Sequence, residues 1–205
     1  MTDVRERYVP RIFSRRATLQ MAGAGAVGLF VGAEFGCATE RDVDFTSPHL
    51  GYTMDYQKGW SSGSYIEDDG SYVDYFLSDE DNSADCPQVQ IFVQRTSMDL
   101  DSYANLLATT LDTPQLPRRQ HGPKVENCES RIITGMGKEG IFKHEILTFK
   151  KDEFAYVVEY IASPTKVVDG KSEFDAYLKT ARQMRSSLRI TGIPKTPEPI
   201  FPSSI

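Results

Sequence analysis

Three runs between Val125 and Ala162 constrain the fold more than anything else in this chain. Val125–Thr134, Gly140–Phe149 and Phe154–Ala162 are rich in β-branched and aromatic residues. The breaks between them, Gly135-Met136-Gly137 and Lys150-Lys151-Asp152, have room only for hairpins. Strands joined by hairpins pair antiparallel, because a parallel neighbour needs a crossover of about a dozen residues or more. Three such runs in succession predict an antiparallel sheet, whose faces helices can cover.

The segments on either side extend this pattern. Gly51–Tyr56 alternates, with Tyr52, Met54 and Tyr56 on one face. Ser64–Glu67 and Tyr72–Leu77 flank Asp68-Asp69-Gly70, a hairpin turn in which glycine takes positive φ. Val89–Arg95 places Val89, Ile91 and Val93 on one side. A first helix follows Asp99 as N-cap, with Tyr103, Leu106, Leu107, Thr110 and Leu111 in one stripe. It ends before Pro114, and residues 112–124, with Pro117 and Pro123, read as an irregular crossover. A second helix spans Glu173–Leu188, opened by Ser172 and Asp175 as a capping box. Its buried stripe is Phe174, Tyr177, Leu178, Ala181, Met184 and Leu188, and its polar face is Lys171, Lys179, Arg182 and Arg185. Leu188–Ile190 reads as a short last strand. The fold class is α+β, an antiparallel sheet of about six strands sandwiched by helices.

The N-terminus carries a different message. Ser14-Arg15-Arg16-Ala17-Thr18-Leu19-Gln20 opens an uncharged stretch, Ala17–Ala33, containing four glycines. Paired arginines before a short apolar run are the pattern of a twin-arginine export signal. The run is 17 residues long, and a spanning helix needs about 20, so cleavage is expected rather than a permanent anchor. Cys37, preceded by Gly36, is a lipidation candidate, although Glu34 stands where a leucine is usual. A plain secreted protein is the alternative. Residues 1–37 are thus the signal segment, 38–49 a polar tether, 50–191 the folded domain and 192–205 a Pro-rich tail. The expected location is extracytoplasmic (periplasm, cell surface or secreted), with the twin-arginine translocase as partner during export.

Cysteine count and charge narrow the classes. With Cys37 acylated or removed, Cys86 and Cys128 remain as a disulfide candidate or as two separate thiols. A bridge would close a loop of about 40 residues, worth ~3–4 kcal/mol in the chain-entropy model. Residues 38–205 hold 18 basic and 26 acidic side chains, a balance of −8. That disfavours nucleic acid as a partner, and leaves a lipid anchor as the expected membrane contact.

The elements resemble those of the PsbP/Mog1-like superfamily. Tyr52-Thr-Met-Asp-Tyr-Gln-Lys-Gly-Trp60 is similar to its "Tyr-x-φ-x-Tyr-Pro-x-x-Trp" opening, where φ is apolar and Gln57 replaces the proline. Val89–Arg95, the helix after Asp99, the strands Ile141–Phe149 and Phe154–Tyr160, and the Met184–Ile190 close fit the same order over residues 50–190. The resemblance implies an antiparallel sheet between helices, binding or assembly roles, and no catalytic motif. It also implies two settings. One is the thylakoid lumen around photosystem II, where PsbP assists calcium and chloride retention through a basic N-terminal segment that is not found here. The other is exported bacterial and archaeal lipoproteins. Thirteen residues before Ser14 are too few for a chloroplast transit peptide plus a lumen signal, which favours a prokaryotic envelope over the lumen.

Searching the residues for chemistry yields little. His49, His121 and His144 have no ligand at zinc spacing, and His144 and Glu145 point to opposite faces of a strand. No nucleophile elbow, phosphate loop or dinucleotide fingerprint is present. Asp79, Asp81 and Ser83 begin like a calcium loop, but Ala84 replaces the glycine and Gln90 the bidentate glutamate. Asp79, Asp81 and Asp85 are the candidates for calcium or manganese, and a solvated loop without a cofactor is the expectation. Among the clustered aromatics, Trp60 is the binding-surface candidate for a lipid, a glycan or a peptide. The reading is a non-catalytic extracytoplasmic module that binds an envelope protein or a small ligand. A photosystem-associated or cation-binding protein is one alternative. A hydrolase with a site assembled from distant residues is another. Replacing Arg15 and Arg16 together with lysine keeps the charge and removes the arginine pair. Unprocessed chain should then accumulate in the cytoplasm on fractionation, and normal export would contradict the signal.

Overall fold

A computed structural model describes residues 42–67, 69–78, 86–111, 118–137 and 140–195, with Arg118 and Arg119 described by backbone alone. Arg15, Arg16, Cys37, Asp79, Asp81 and Asp85 lie outside the described residues. The chain runs β1 (Val43–Thr46), β2 (Tyr52–Tyr56), β3 (Ser61–Ile66), β4 (Tyr72–Leu77), β5 (Gln88–Arg95), α1 (Leu100–Ala108), β6 (Arg118–His121) and β7 (Ser130–Met136). It continues with β8 (Lys143–Lys151), β9 (Phe154–Ala162), the short pair β10 (Val167–Val168) and β11 (Lys171–Ser172), α2 (Glu173–Ser187) and β12 (Arg189–Ile190).

The α+β class is as expected, with seven strands in the main sheet rather than about six. Their order is β3-β4-β5-β9-β8-β7-β6, and every neighbouring pair is antiparallel. The β2 segment does not join that sheet. It forms a smaller sheet in the order β1-β2-β12. One face of the main sheet offers Val89, Ile91, Val93, Leu147, Phe149, Tyr156 and Val158 to Phe174, Ala181 and Met184 of α2 and to Tyr52, Met54 and Leu188. The other face offers Val73, Phe92, Ile133, Ile146 and Val157 to Tyr103, Ala104 and Leu107 of α1.

Local signals place the helix ends. Asp99 accepts from Ser102 N at 2.9 Å, and Ser172 accepts from Asp175 N at 3.1 Å. The α2 stripe is narrower than its periodicity suggests. Phe174, Ala181, Met184 and Leu188 are buried, whereas Tyr177 and Leu178 are half-buried at its margin.

Several expectations need correction. The tether assigned to 38–49 contains β1, which pairs with β2 and sets Phe45 edge-on to Phe76 at 5.0 Å. The crossover 112–124 contains β6, paired with β7. Residues 125–129 turn before β7, with Glu126 and Asn127 at φ 45° and 69°. The first residues of the tail lie against the domain, since Gly192 N and Lys195 N donate to Gly51 O and His49 O at 3.0 and 2.7 Å. A Cβ at Gly51, whose φ is +65°, would sit 2.5 Å from Gly192 O, so only glycine fits that approach.

Trp60 is only 7% exposed and meets Tyr177 edge-on at 6.2 Å, so it is a core residue and not a binding surface. No disulfide joins Cys86 to Cys128. Cys86 precedes Gln88, whereas Cys128 precedes Ser130, which is level with Val93 through Phe149 and Tyr156. Read through that register, the two lie about nine strand positions apart, roughly 30 Å along the sheet at ~3.3 Å per residue. A disulfide needs Cα atoms within about 7 Å.

Phe174→Ala removes a side chain that is 1% exposed at the α2–sheet contact. It should cost about 3–5 kcal/mol in denaturant unfolding. Lys179→Ala, on the exposed side of the same helix, should change stability by less than about 0.5 kcal/mol. Similar losses for the two would contradict this register of α2.

Candidate functional site

Side chains alternate across a strand, so His144 and Glu145 on β8 face different helices. Under α2, Glu145 is 3% exposed. Arg182 Nε and Nη2 donate to its two oxygens at 3.0 and 2.6 Å, and Arg185 Nη1 donates to Oε1 at 3.0 Å. Burial opposes the charge on Glu145. The hydrogen bond from Arg182 and the charges of Arg185 and Arg182 outweigh it and hold the carboxyl below the usual range. Arg185, expected on the polar face, is instead 8% exposed. The buried carboxylate beneath it requires a second cation, because Arg182 reaches in from a half-exposed position.

Other charges also join elements. Glu173, 1% exposed, takes Lys166 Nζ at 2.6 Å and Ser163 N at 3.1 Å. Arg131 on β7 grips Asp101 of α1 through Nε and Nη2 at 2.8 and 3.2 Å. These groups fasten both helices and the segment before β10 to the sheet.

The α1 face carries a polar group of another kind. One cross-strand row contains Gly63, Tyr75, Gln90, Glu159, Ile146 and Ile133. The next contains Gln88, Ile161 and His144. His144 Nδ1 lies 2.7 Å from Glu159 Oε1. The imidazole occupies space left by Gly137, where a Cβ would come within 2.5 Å of Nε2. Tyr75 similarly lies over Gly63, and the Tyr65 and Tyr75 rings stand 6.0 Å apart at 43°. Burial, followed by the charges of Glu67, Glu159 and Tyr75, pushes the Tyr65 phenol well up. Gln90 Nε2 donates to Gln88 Oε1 at 3.3 Å. Glu159 Oε2 and Gln90 Oε1 are buried with no hydrogen-bond donor.

A fourth buried acid, Asp74, lies on the α2 face with Ser64 Oγ donating to Oδ1. The Tyr52 phenol is raised by burial and by the Asp74 charge beside it. The other histidines stand apart. His49 stacks on Tyr72 at 4.0 Å, and exposed His121 ends the edge strand β6. Sequence reasoning missed Glu159 entirely. The detectable signal was its place two positions diagonal to His144 across a hairpin, within reach of long side chains. Among the described residues, no group of three or more His, Cys, Asp or Glu is arranged to hold a metal ion, and no helix is long and apolar enough to cross a membrane.

No family model and no curated protein matches the chain. Several solved structures are similar, two of which illustrate the likeness. Cyanobacterial PsbP (CyanoP) from Synechocystis sp. PCC 6803 has 12% identity over 78% of this chain and 98% of that one, with a TM-score of 0.49. A crystal structure from Bacteroides thetaiotaomicron VPI-5482 has 12% identity and a TM-score of 0.47, covering 75% of this chain and 50% of that one. Both likenesses concern the fold alone.

Glu145→Gln leaves Arg185 buried without its counter-charge and should cost about 3–5 kcal/mol at pH 7. Because the folded carboxyl titrates below its unfolded value, this contribution is present above the unfolded pKa, about 4.3, and is lost as pH falls through the folded pKa. Urea unfolding should therefore show a wild-type advantage that shrinks below about pH 4. A gap that stayed constant to pH 3 would contradict the clamp.

Proposed function

We propose that the chain is an extracytoplasmic, non-catalytic binding module, exported through the twin-arginine translocase and held at the membrane by acylated Cys37. The observation that carries the binding role is the pair of buried acceptors, Glu159 Oε2 and Gln90 Oε1, with no donor of their own. The groups set around them by the strand register are a second amide, an imidazole and two phenols. Such groups orient and hold a ligand. A hydrolase would require a nucleophile within reach of His144 Nε2, since Nδ1 is taken by Glu159. The Arg15-Arg16 segment and Gly36-Cys37 support delivery and anchoring. A cation-binding role would rest on Asp79, Asp81 and Asp85, which lie outside the described residues.

Anchoring is tested by Cys37→Ser in the full chain. The wild type should sediment with membranes and resist high salt, whereas the variant should be processed and soluble outside the cytoplasm. Equal partitioning of the two would contradict the lipid anchor.

A further inference from the structure

The acceptors on the α1 face point to the chemistry of a ligand. Glu159 is fully buried and Gln90 is 3% exposed. They are direct partners across β5 and β9, which sets their Cβ atoms about 5 Å apart. One oxygen of Glu159 is engaged by His144 Nδ1, and the Gln90 amide nitrogen by Gln88. What remains is one carboxylate oxygen and one amide oxygen, both acceptors and both without a donor. Whatever its protonation, His144 reaches only Oε1 and leaves Oε2 bare. Elsewhere the chain supplies cations to its buried glutamates: Arg182 and Arg185 to Glu145, and Lys166 to Glu173. Among the described residues no lysine or arginine pairs with Glu159, whose partner is His144.

The surroundings select among donors. The Tyr75 ring lies over Gly63, on the far side of its strand from Gln90, with the Tyr65 ring 6.0 Å from it, and the Tyr65 phenol is close enough to feel the Glu159 charge. A buried carboxylate favours a positively charged donor over a neutral hydroxyl. A hard metal ion needs six or more oxygens, whereas an ammonium needs only acceptors for its three hydrogens. Tyr75 and Gln88 are half-buried and mark the side toward solvent. We infer that Glu159 and Gln90 form a binding site for the primary ammonium group of a small organic cation. This names the ligand class for the binding role proposed above and rests on that reading.

Isothermal titration of the full chain with putrescine and methylammonium tests it, with potassium and calcium chloride as comparisons. Both amines should bind saturably at one site. Glu159→Gln should weaken binding at least about tenfold, the scale of one charged hydrogen bond. Gln90→Met keeps the volume and removes the amide oxygen. It should weaken binding severalfold with an unchanged circular dichroism spectrum, and it decides the matter if Glu159→Gln does not fold. The absence of saturable heat with either amine, undiminished binding by Gln90→Met, or equal binding of potassium or calcium would overturn the assignment. Membrane fractionation of Cys37→Ser reads anchoring alone, so the ammonium site can fail while the extracytoplasmic reading stands.

Discussion

The β8–β9 register is the constraint on which the rest depends. Nine consecutive pairs run from Lys143↔Ala162 to Lys151↔Phe154. The turn between them is two residues, Asp152 and Glu153, with Asp152 at φ 54°. A strand has a side-chain period of two, so a slip of one residue would exchange every side chain between the faces. Glu145 would leave Arg182 and Arg185, and His144 would turn under α2. The hairpin therefore decides which helix meets which charge.

From that register two different uses of buried charge follow. On the α2 side the sheet presents a carboxylate and the helix answers with two guanidinium groups. Arg131 and Asp101 make the matching tie on the α1 side. Breaking the first would leave buried Arg185 without its counter-charge, so α2 is held in place and not merely packed, while half-exposed Asp101 ties α1 to buried Arg131. On the α1 face, Glu159 and Gln90 belong to strands whose positions are already fixed by their neighbours. Their spare oxygens add nothing to folding, and unpaired buried acceptors are costly unless something else satisfies them. A rigid sheet can carry that cost and present the oxygens in fixed positions to a ligand.

What was legible in the sequence was what is local. The β7–β8 and β8–β9 hairpins and the caps at Asp99 and Ser172 depend on residues within a few positions of one another, although the ladder carries β7 through Gly135 and Met136, and β8 through Lys150 and Lys151, where breaks were expected. The strands β1 and β6 were not legible. Val43-Asp44-Phe45-Thr46 and Arg118-Arg119-Gln120-His121 are short and mostly polar, and only the ladder of a distant partner makes them strands. Trp60 follows a glycine turn, which suggested exposure, but it is buried by Tyr177 from the other end of the domain. The Cys86–Cys128 spacing gave a loop length and no information about opposite ends of a sheet. Glu159 sat unnoticed inside an apolar run, and Gln90 appeared only as a failed calcium ligand. Neither reveals its partner until β5, β8 and β9 are laid side by side.

The most direct test of this account is cross-strand contact between β8 and β9 by nuclear Overhauser spectroscopy on the labelled chain. The register predicts backbone contacts of Leu147 with Val158 and of Glu145 with Tyr160. It also predicts side-chain contact between His144 and Glu159 on one face and between Glu145 and Arg185 on the other. Contacts of Leu147 centred on Val157 or Glu159 would mean a shifted register, and with it the wrong charges under each helix.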